Sequence, residues 1–151
     1  MSNAKRYNLQ TGFGYRFTMI GQTNSRRLEN ELQKLGLTRM KWCVLVAVGE
    51  EKLHQPSQIA EFIGINRTAA SRTLRQMEAE GLIVRTGGLG DKRSTNVTLT
   101  TKAQGILNQA IPRVAFIGKW FREKLSPVEL EQLENILNKL LDGEERDFSQ
   151  L

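Results

Sequence analysis

The sequence predicts a mainly α-helical chain with one small β-hairpin. Three observations lead there. Between Pro56 and Gly81, two short amphipathic stretches are separated by little more than Gly64-Ile65. Directly after them, Leu82–Arg85 and Thr95–Leu99 are strand-like runs on either side of a glycine-rich basic loop, Gly87-Gly88-Leu89-Gly90-Asp91-Lys92-Arg93-Ser94. Longer stretches with apolar residues near helical spacing flank this region on both sides. A helix, a compact turn, a second helix and a hairpin, in that order, make a winged helix-turn-helix. The flanking helices at the N- and C-terminal ends are then left over for dimerisation.

Residues 1–12 are polar and without periodicity, and read as a loose arm. A helix is predicted from about Phe13 to Leu35, on the recurrence of Phe17, Ile20, Leu28, Leu32 and Leu35, with Gly36 as a left-handed stop. Thr38 suits the N-cap of a second helix, Arg39 to Val48, which is apolar over most of its circumference and belongs in a core. After a polar connection, Gly49 to Gln55, the next helix opens at Pro56-Ser57, buries Ile59, Ala60 and Ile63, and ends at Gly64. Asn66 is a good N-cap for the helix that follows and stops at Gly81. In the return strand Val97 and Leu99 alternate with polar residues, and the glycines at 87, 88 and 90 are placed for positive φ. Thr101-Lys102-Ala103-Gln104 has capping-box spacing and is predicted to start a long helix, kinked at Pro112. Ser126-Pro127-Val128-Glu129 combines an N-cap serine, proline at the first helical position and glutamate at the third, with Leu125 and Leu130 placed as a hydrophobic staple.

The units expected are therefore an arm and dimerisation helix (1–36), a winged helix-turn-helix (37–100) and C-terminal dimerisation helices (101–151). The last helix sets Leu130, Leu133, Leu137 and Leu140 on one seam, near heptad spacing. A leucine seam needs a partner. Together with Phe17 and Ile20 on the first helix and Val114, Ile117 and Phe121 on the long one, it predicts a two-fold dimer built from both chain ends.

Composition bounds the function. Apolar residues make up 39% and charged residues 25% of 151, which is ordinary for a globular protein. No apolar run approaches the ~20 residues that span a bilayer, and no signal-peptide pattern opens the chain, so a cytoplasmic location is expected. The single cysteine, Cys43, leaves no disulfide framework and no cysteine-based zinc site; it lies in an apolar helical run, where inert burial is expected. The net charge of +6 is unevenly spread: residues 125–151 carry −5 and residues 1–124 carry +11. A basic body with an acidic end suits a polyanion-binding protein, and equally a solvated basic surface. The lone histidine, His54, has no nucleophile, carboxylate pair or phosphate-binding glycine motif beside it, so neither an enzyme nor a cofactor is expected.

Thr68, Ser71, Arg72 and Arg75, with Arg67 at the helix start, fall on one face of the second helix of the unit, and Ala70, Leu74 and Met77 fall opposite. A packed inner face with an outer face of arginines and short polar side chains is what a DNA recognition helix needs, because arginine bonds two acceptors on guanine. An ordinary amphipathic surface helix has the same pattern. Arg93 near the loop tip is placed to enter a minor groove, with Asp91 accepting hydrogen bonds that steer it. Ser57 and Gln58 at a helix start, and Arg85 and Lys92 in the hairpin, are expected on phosphates.

Several runs carry a family resemblance: Leu37-Thr38-Arg39-Met40-Lys41-Trp42-Cys43-Val44-Leu45, Ile59-Ala60 through Gly64-Ile65, Glu80-Gly81-Leu82-Ile83, Asp91-Lys92-Arg93-Ser94, and Leu99-Thr100. Their order and spacing resemble the MarR family of bacterial regulators, and most closely its SlyA-like branch, over residues 15–141. The resemblance implies a triangular homodimer joined through its N- and C-terminal helices, with Arg72 on the recognition helix and Asp91 and Arg93 as the wing pair. It implies a pseudo-palindromic operator, repression, and release by a small aromatic or phenolic ligand lodged between the dimer helices and the DNA-binding lobe. Arg16, Met19, Trp42 and His54 are candidates for that crevice, though packing or surface roles explain each of them. The family's redox branch has its reactive cysteine near the first helix, where this chain has none. The competing class is a winged-helix protein-interaction module with no specific DNA site.

Overall fold

The computed structural model describes residues 8–87 and 95–144. The elements run α1 (Phe13–Gln33), α2 (Arg39–Gly49), α3 (Pro56–Ile63), α4 (Arg67–Ala79), β1 (Ile83–Thr86), β2 (Asn96–Leu99), α5 (Thr101–Arg122) and α6 (Pro127–Leu141), with a short 3₁₀ turn at Leu9–Thr11. The punctuation read from the sequence does the expected work. Thr38 caps α2 by accepting from the Lys41 amide, and Asn66 caps α4 by accepting from Ala69 at 2.8 Å. Ser126 and Glu129 form the reciprocal capping box of α6, while Gly36, Gly64 and Gly81 adopt positive φ. One cap is corrected. Thr100, not Thr101, precedes α5, and its hydroxyl accepts from the Ala103 amide. That same hydroxyl donates to the Gly81 carbonyl at 2.8 Å, which ties the start of α5 to the end of α4. The wing glycines 88 and 90, and the tip residues Asp91, Lys92 and Arg93, lie outside the described residues.

A single core holds the lobe. Leu32, Val44, Leu45, Ile59, Leu74, Met77, Ile83, Val97 and Leu107 are almost completely buried and come from α1 to α5 and both strands. The strands pair antiparallel, with Ile83 opposite Leu99 and Arg85 opposite Val97. The outer edge of β2 is closed by the α2–α3 connection: the Val97 amide donates to the His54 carbonyl at 2.8 Å, and the His54 ring Nδ1 lies 2.9 Å from the Val97 carbonyl. A carbonyl only accepts, so Nδ1 carries the proton in that bond.

The chain ends behave differently. Residues 13–22 of α1 are all exposed, including Phe17 and Ile20, with Phe13 at 80%. α6 contributes no buried residue, and Leu133, Leu137, Leu140 and Leu141 stand in solvent, with Leu130 half-covered. Only the C-terminal part of α1 is anchored, by packing on α5. There the Arg27 guanidinium sits 3.3 Å from the centre of the Trp120 ring, and Arg113 pairs with Glu31 at 3.2 Å. Two residues assigned to the dimer surface turn inward instead. Ile117 is buried within the protomer and Val114 packs against the core, because the small-to-apolar stripe Ala103, Leu107, Ala110, Val114, Ile117 faces that core. Phe116, one position round the helix, is 66% exposed. Phe121 is half-buried, edge-on to Trp120 at 4.9 Å between centroids.

Candidate nucleic-acid interface

α4 is divided as a recognition helix requires. Ala70, Leu74 and Met77 are buried against the core, whereas Arg67, Thr68, Arg72 and Arg75 are exposed and Ser71 is half-exposed. The split follows from helical spacing: the buried residues step by three and four, so the arginines at 72 and 75 are left on the opposite side. Arg75 leans back along the helix, its Nε donating to the Ser71 carbonyl at 3.3 Å and its Nη2 lying 3.4 Å from the Ser71 hydroxyl. Arg72 makes no such return among the described residues. Its long side chain is exposed between Thr68 and Arg75 on the face opposite the buried one.

Ser57 and Gln58 are exposed on the first turn of α3, whose free amides favour an anion. Arg85 is placed differently from the phosphate contact expected of it. Its Nε donates to Glu78 Oε2 at 2.9 Å, its Nη2 makes a second ion-paired bond to the same oxygen, and its backbone amide donates to Oε1 at 3.3 Å. The guanidinium holds the Glu78 carboxyl below the usual carboxylate range. Glu80, the C-cap of α4, is gripped as well. Lys41, with only 8% of its surface exposed, sets Nζ 2.8 and 2.7 Å from the two Glu80 oxygens, and the pair lowers the Glu80 pKa. Lys102 of α5 donates to the Glu80 carbonyl at 3.1 Å.

Glu78, Glu80 and Lys41, which pair at the end of α4, are the residues of this candidate surface that sequence reading did not single out. The available signal was two carboxylates at the C-terminal end of a helix, where the dipole disfavours negative charge. Such placement calls for cations brought in from elsewhere in the fold.

The residues suggested for an effector crevice line neither of two clefts beside α1. Arg16 and Met19 are exposed on α1, Trp42 is on α2, and His54 is bonded to β2. Those clefts are lined by others: one of about 320 Å³ includes Arg27, Asn30, Phe116 and Trp120, and one of about 500 Å³ includes Glu29, Gln33, Thr38 and Arg39. Cys43 is half-buried and burial pushes its thiol pKa up, which disfavours the reactive thiolate. Among the described residues there is no cluster of metal-ligating side chains, and no helix long and apolar enough to cross a membrane.

The MarR family model matches residues 35–94, the stretch from the start of the helical core to the wing. Solved structures extend the likeness over most of the chain. The S. aureus MepR–DNA complex is 24% identical with a TM-score of 0.76, covering 86% of this chain and 96% of MepR. Bordetella bronchiseptica BpsR, whose DNA binding is regulated by 6-hydroxynicotinic acid, is 18% identical with a TM-score of 0.75, covering 91% and 99%. Apo MarR from E. coli is 25% identical over 86% of this chain and 97% of its own, with a TM-score of 0.67. With six helices and an antiparallel hairpin among the described residues, and a helix-turn-helix stretch that the family model matches, this chain is similar to regulators of the MarR family.

Proposed function

We propose that the protein is a homodimeric, sequence-specific DNA-binding transcriptional regulator that represses from a pseudo-palindromic operator. The observation that carries this is α4. Its inner face is sealed into the core, and Thr68, Arg72 and Arg75 are presented outward beside a hairpin whose loop sequence adds Lys92 and Arg93. Thr68, Ser71, Arg72 and Arg75 read base edges in the major groove, while Arg93, steered by Asp91, enters the minor groove. Ser57, Gln58, Arg67 and Lys92 hold phosphates and supply salt-dependent affinity. MepR was solved on DNA with this fold, which supports the docking.

The bare leucine seam of α6 supplies the second copy, and two copies read two half-sites. Release by a small aromatic ligand accompanies this reading, supported by the response of BpsR to 6-hydroxynicotinic acid. No enzymatic activity is assigned.

The test is selection of bound duplexes from a random pool, followed by titration of the winner against bulk DNA at several salt concentrations. A two-fold related pair of half-sites and an affinity falling steeply with salt are expected. Equal affinity for selected and bulk DNA would instead favour a protein-interaction module.

A further inference from the structure

Glu78 lies in the last turn of the recognition helix and Glu80 caps it. Both are carboxylates at the negative end of the helix dipole, a position that favours cations. On a surface that must approach phosphates, an uncompensated carboxylate is unfavourable twice over. Each of the two is matched. Glu80 takes Lys41 from the core side, and Glu78 takes Arg85 from the wing side.

The Glu78–Arg85 contact is more than one ion pair. The Val97 amide points to His54, so at the Arg85–Val97 position of the ladder the amides point away from each other. The Arg85 amide therefore faces the free edge of β1, and Glu78 Oε1 accepts from it. One carboxylate thus binds both the side chain and the main chain of a single strand residue. It fixes the direction of Arg85 and the approach of β1 to the recognition helix. Arg85 is also the last long basic side chain before the wing loop.

We propose that Arg85 is a positioning residue, clamped by Glu78 so that the wing strand and the recognition helix meet DNA as one rigid unit, rather than a ligand to phosphate. The proposal rests on the DNA-binding reading above, and it assigns Glu78 a role in a site where a carboxylate would otherwise only repel DNA. The two roles for Arg85 predict opposite signs. If Arg85 holds a phosphate, removing the Glu78 charge frees the arginine, lowers repulsion and tightens binding. If Arg85 is a clamp, removing that charge loosens the wing and weakens binding.

The probe is the duplex selected from the random pool, titrated with wild type, Glu78→Gln, Arg85→Gln, the double variant and the exchanged pair Glu78→Arg/Arg85→Glu. Thermal melts of each variant confirm folding. Clamping predicts about tenfold weaker binding for either single variant and little further weakening in the double. It predicts partial recovery in the exchanged pair and a salt slope equal to wild type. Glu78→Gln binding as well as or better than wild type would overturn the proposal. So would a salt slope for Arg85→Gln shallower by about 0.9, the signature of one phosphate no longer neutralised.

A second measurement needs no DNA. Amide hydrogen exchange at Arg85 should speed up about tenfold in Glu78→Ala, and unchanged exchange would also overturn the clamp. If wild type selects no duplex, the DNA reading fails by itself, and the exchange measurement still decides the clamp.

Discussion

At Gly49, the last residue of α2, a Cβ would run into Cδ2 of Leu107 and lie 3.0 Å from Cδ1 of Leu99. Leu107 is fully buried and has nowhere to go. Gly49→Ala is therefore expected to cost about 1–3 kcal/mol by overpacking. In a chain of this size, that is a melting temperature lower by about 2–4 °C per kcal/mol. A wild-type melting curve for the variant would show that α2 and α5 do not pack this closely. Arg72 is the residue to change for function. It is exposed on the side of α4 turned away from the core, with its guanidinium uncommitted among the described residues. Arg72→Ala should weaken operator binding by about 1–3 kcal/mol and relax base choice at one position of each half-site. A uniform loss across all sequences, with no change in preference, would reassign Arg72 to the phosphate backbone.

At the scale of elements, the end of α4 is where three parts of the fold meet. Lys41 of α2, Arg85 of β1, and Thr100 and Lys102 at the start of α5 all bond to Glu78, Glu80 or Gly81. The Lys41–Glu80 pair is unequal, since the lysine is buried and the glutamate reaches solvent. Glu80→Ala leaves a buried ammonium without its acceptor and should cost about 1–3 kcal/mol. Lys41→Met leaves only a carboxylate that water can reach, so its cost should be smaller. Equal losses of stability in chemical denaturation would contradict the asymmetry.

The same pairs set an acid limit. The Lys41 ammonium and the Arg85 guanidinium depress the folded-state pKa of Glu80 and Glu78 below the unfolded value of about 4.3. Their contribution is thus fully present above that value and is lost as pH falls through the lower, folded values. Stability should hold from neutral pH to about pH 5 and decline below about pH 4, and Glu80→Gln should flatten that decline. A Glu80→Gln profile parallel to wild type would show that the pair plays no part in it.

For the molecule as a whole, the deciding feature is apolar surface without cover. Phe13, Phe17 and Ile20 on α1, Phe116 on α5, and Leu133, Ile136, Leu137 and Leu140 on α6 are all exposed in one chain. Exposed apolar surface at both chain ends is what the proposed dimer would cover. Leu137→Glu should shift the protein from dimer to monomer in sedimentation at micromolar concentration. Operator affinity should fall with it, because half of the reader is lost, while the helical content of the lobe is retained. A dimeric Leu137→Glu variant would place the interface elsewhere.

Local chemistry alone made much of this architecture legible. Caps at Thr38, Asn66 and Ser126, stops at Gly36, Gly64 and Gly81, and the three-to-four spacing of Ala70, Leu74 and Met77 are short-range signals, and short-range sterics and hydrogen bonding act on them directly. They set the order of elements and the face of α4 that stays outside the core. The cap of α5 slipped by one residue because Thr100 and Thr101 offer the same hydroxyl, and only the Gly81 carbonyl across the turn selects between them. Tertiary packing alone decided that Ile117 turns inward and Phe116 outward, that Lys41 is buried against Glu80, and that Arg85 answers Glu78. Each of these depends on what another element brings within a few ångströms. Charge and apolar surface become a contact only when the fold supplies the partner.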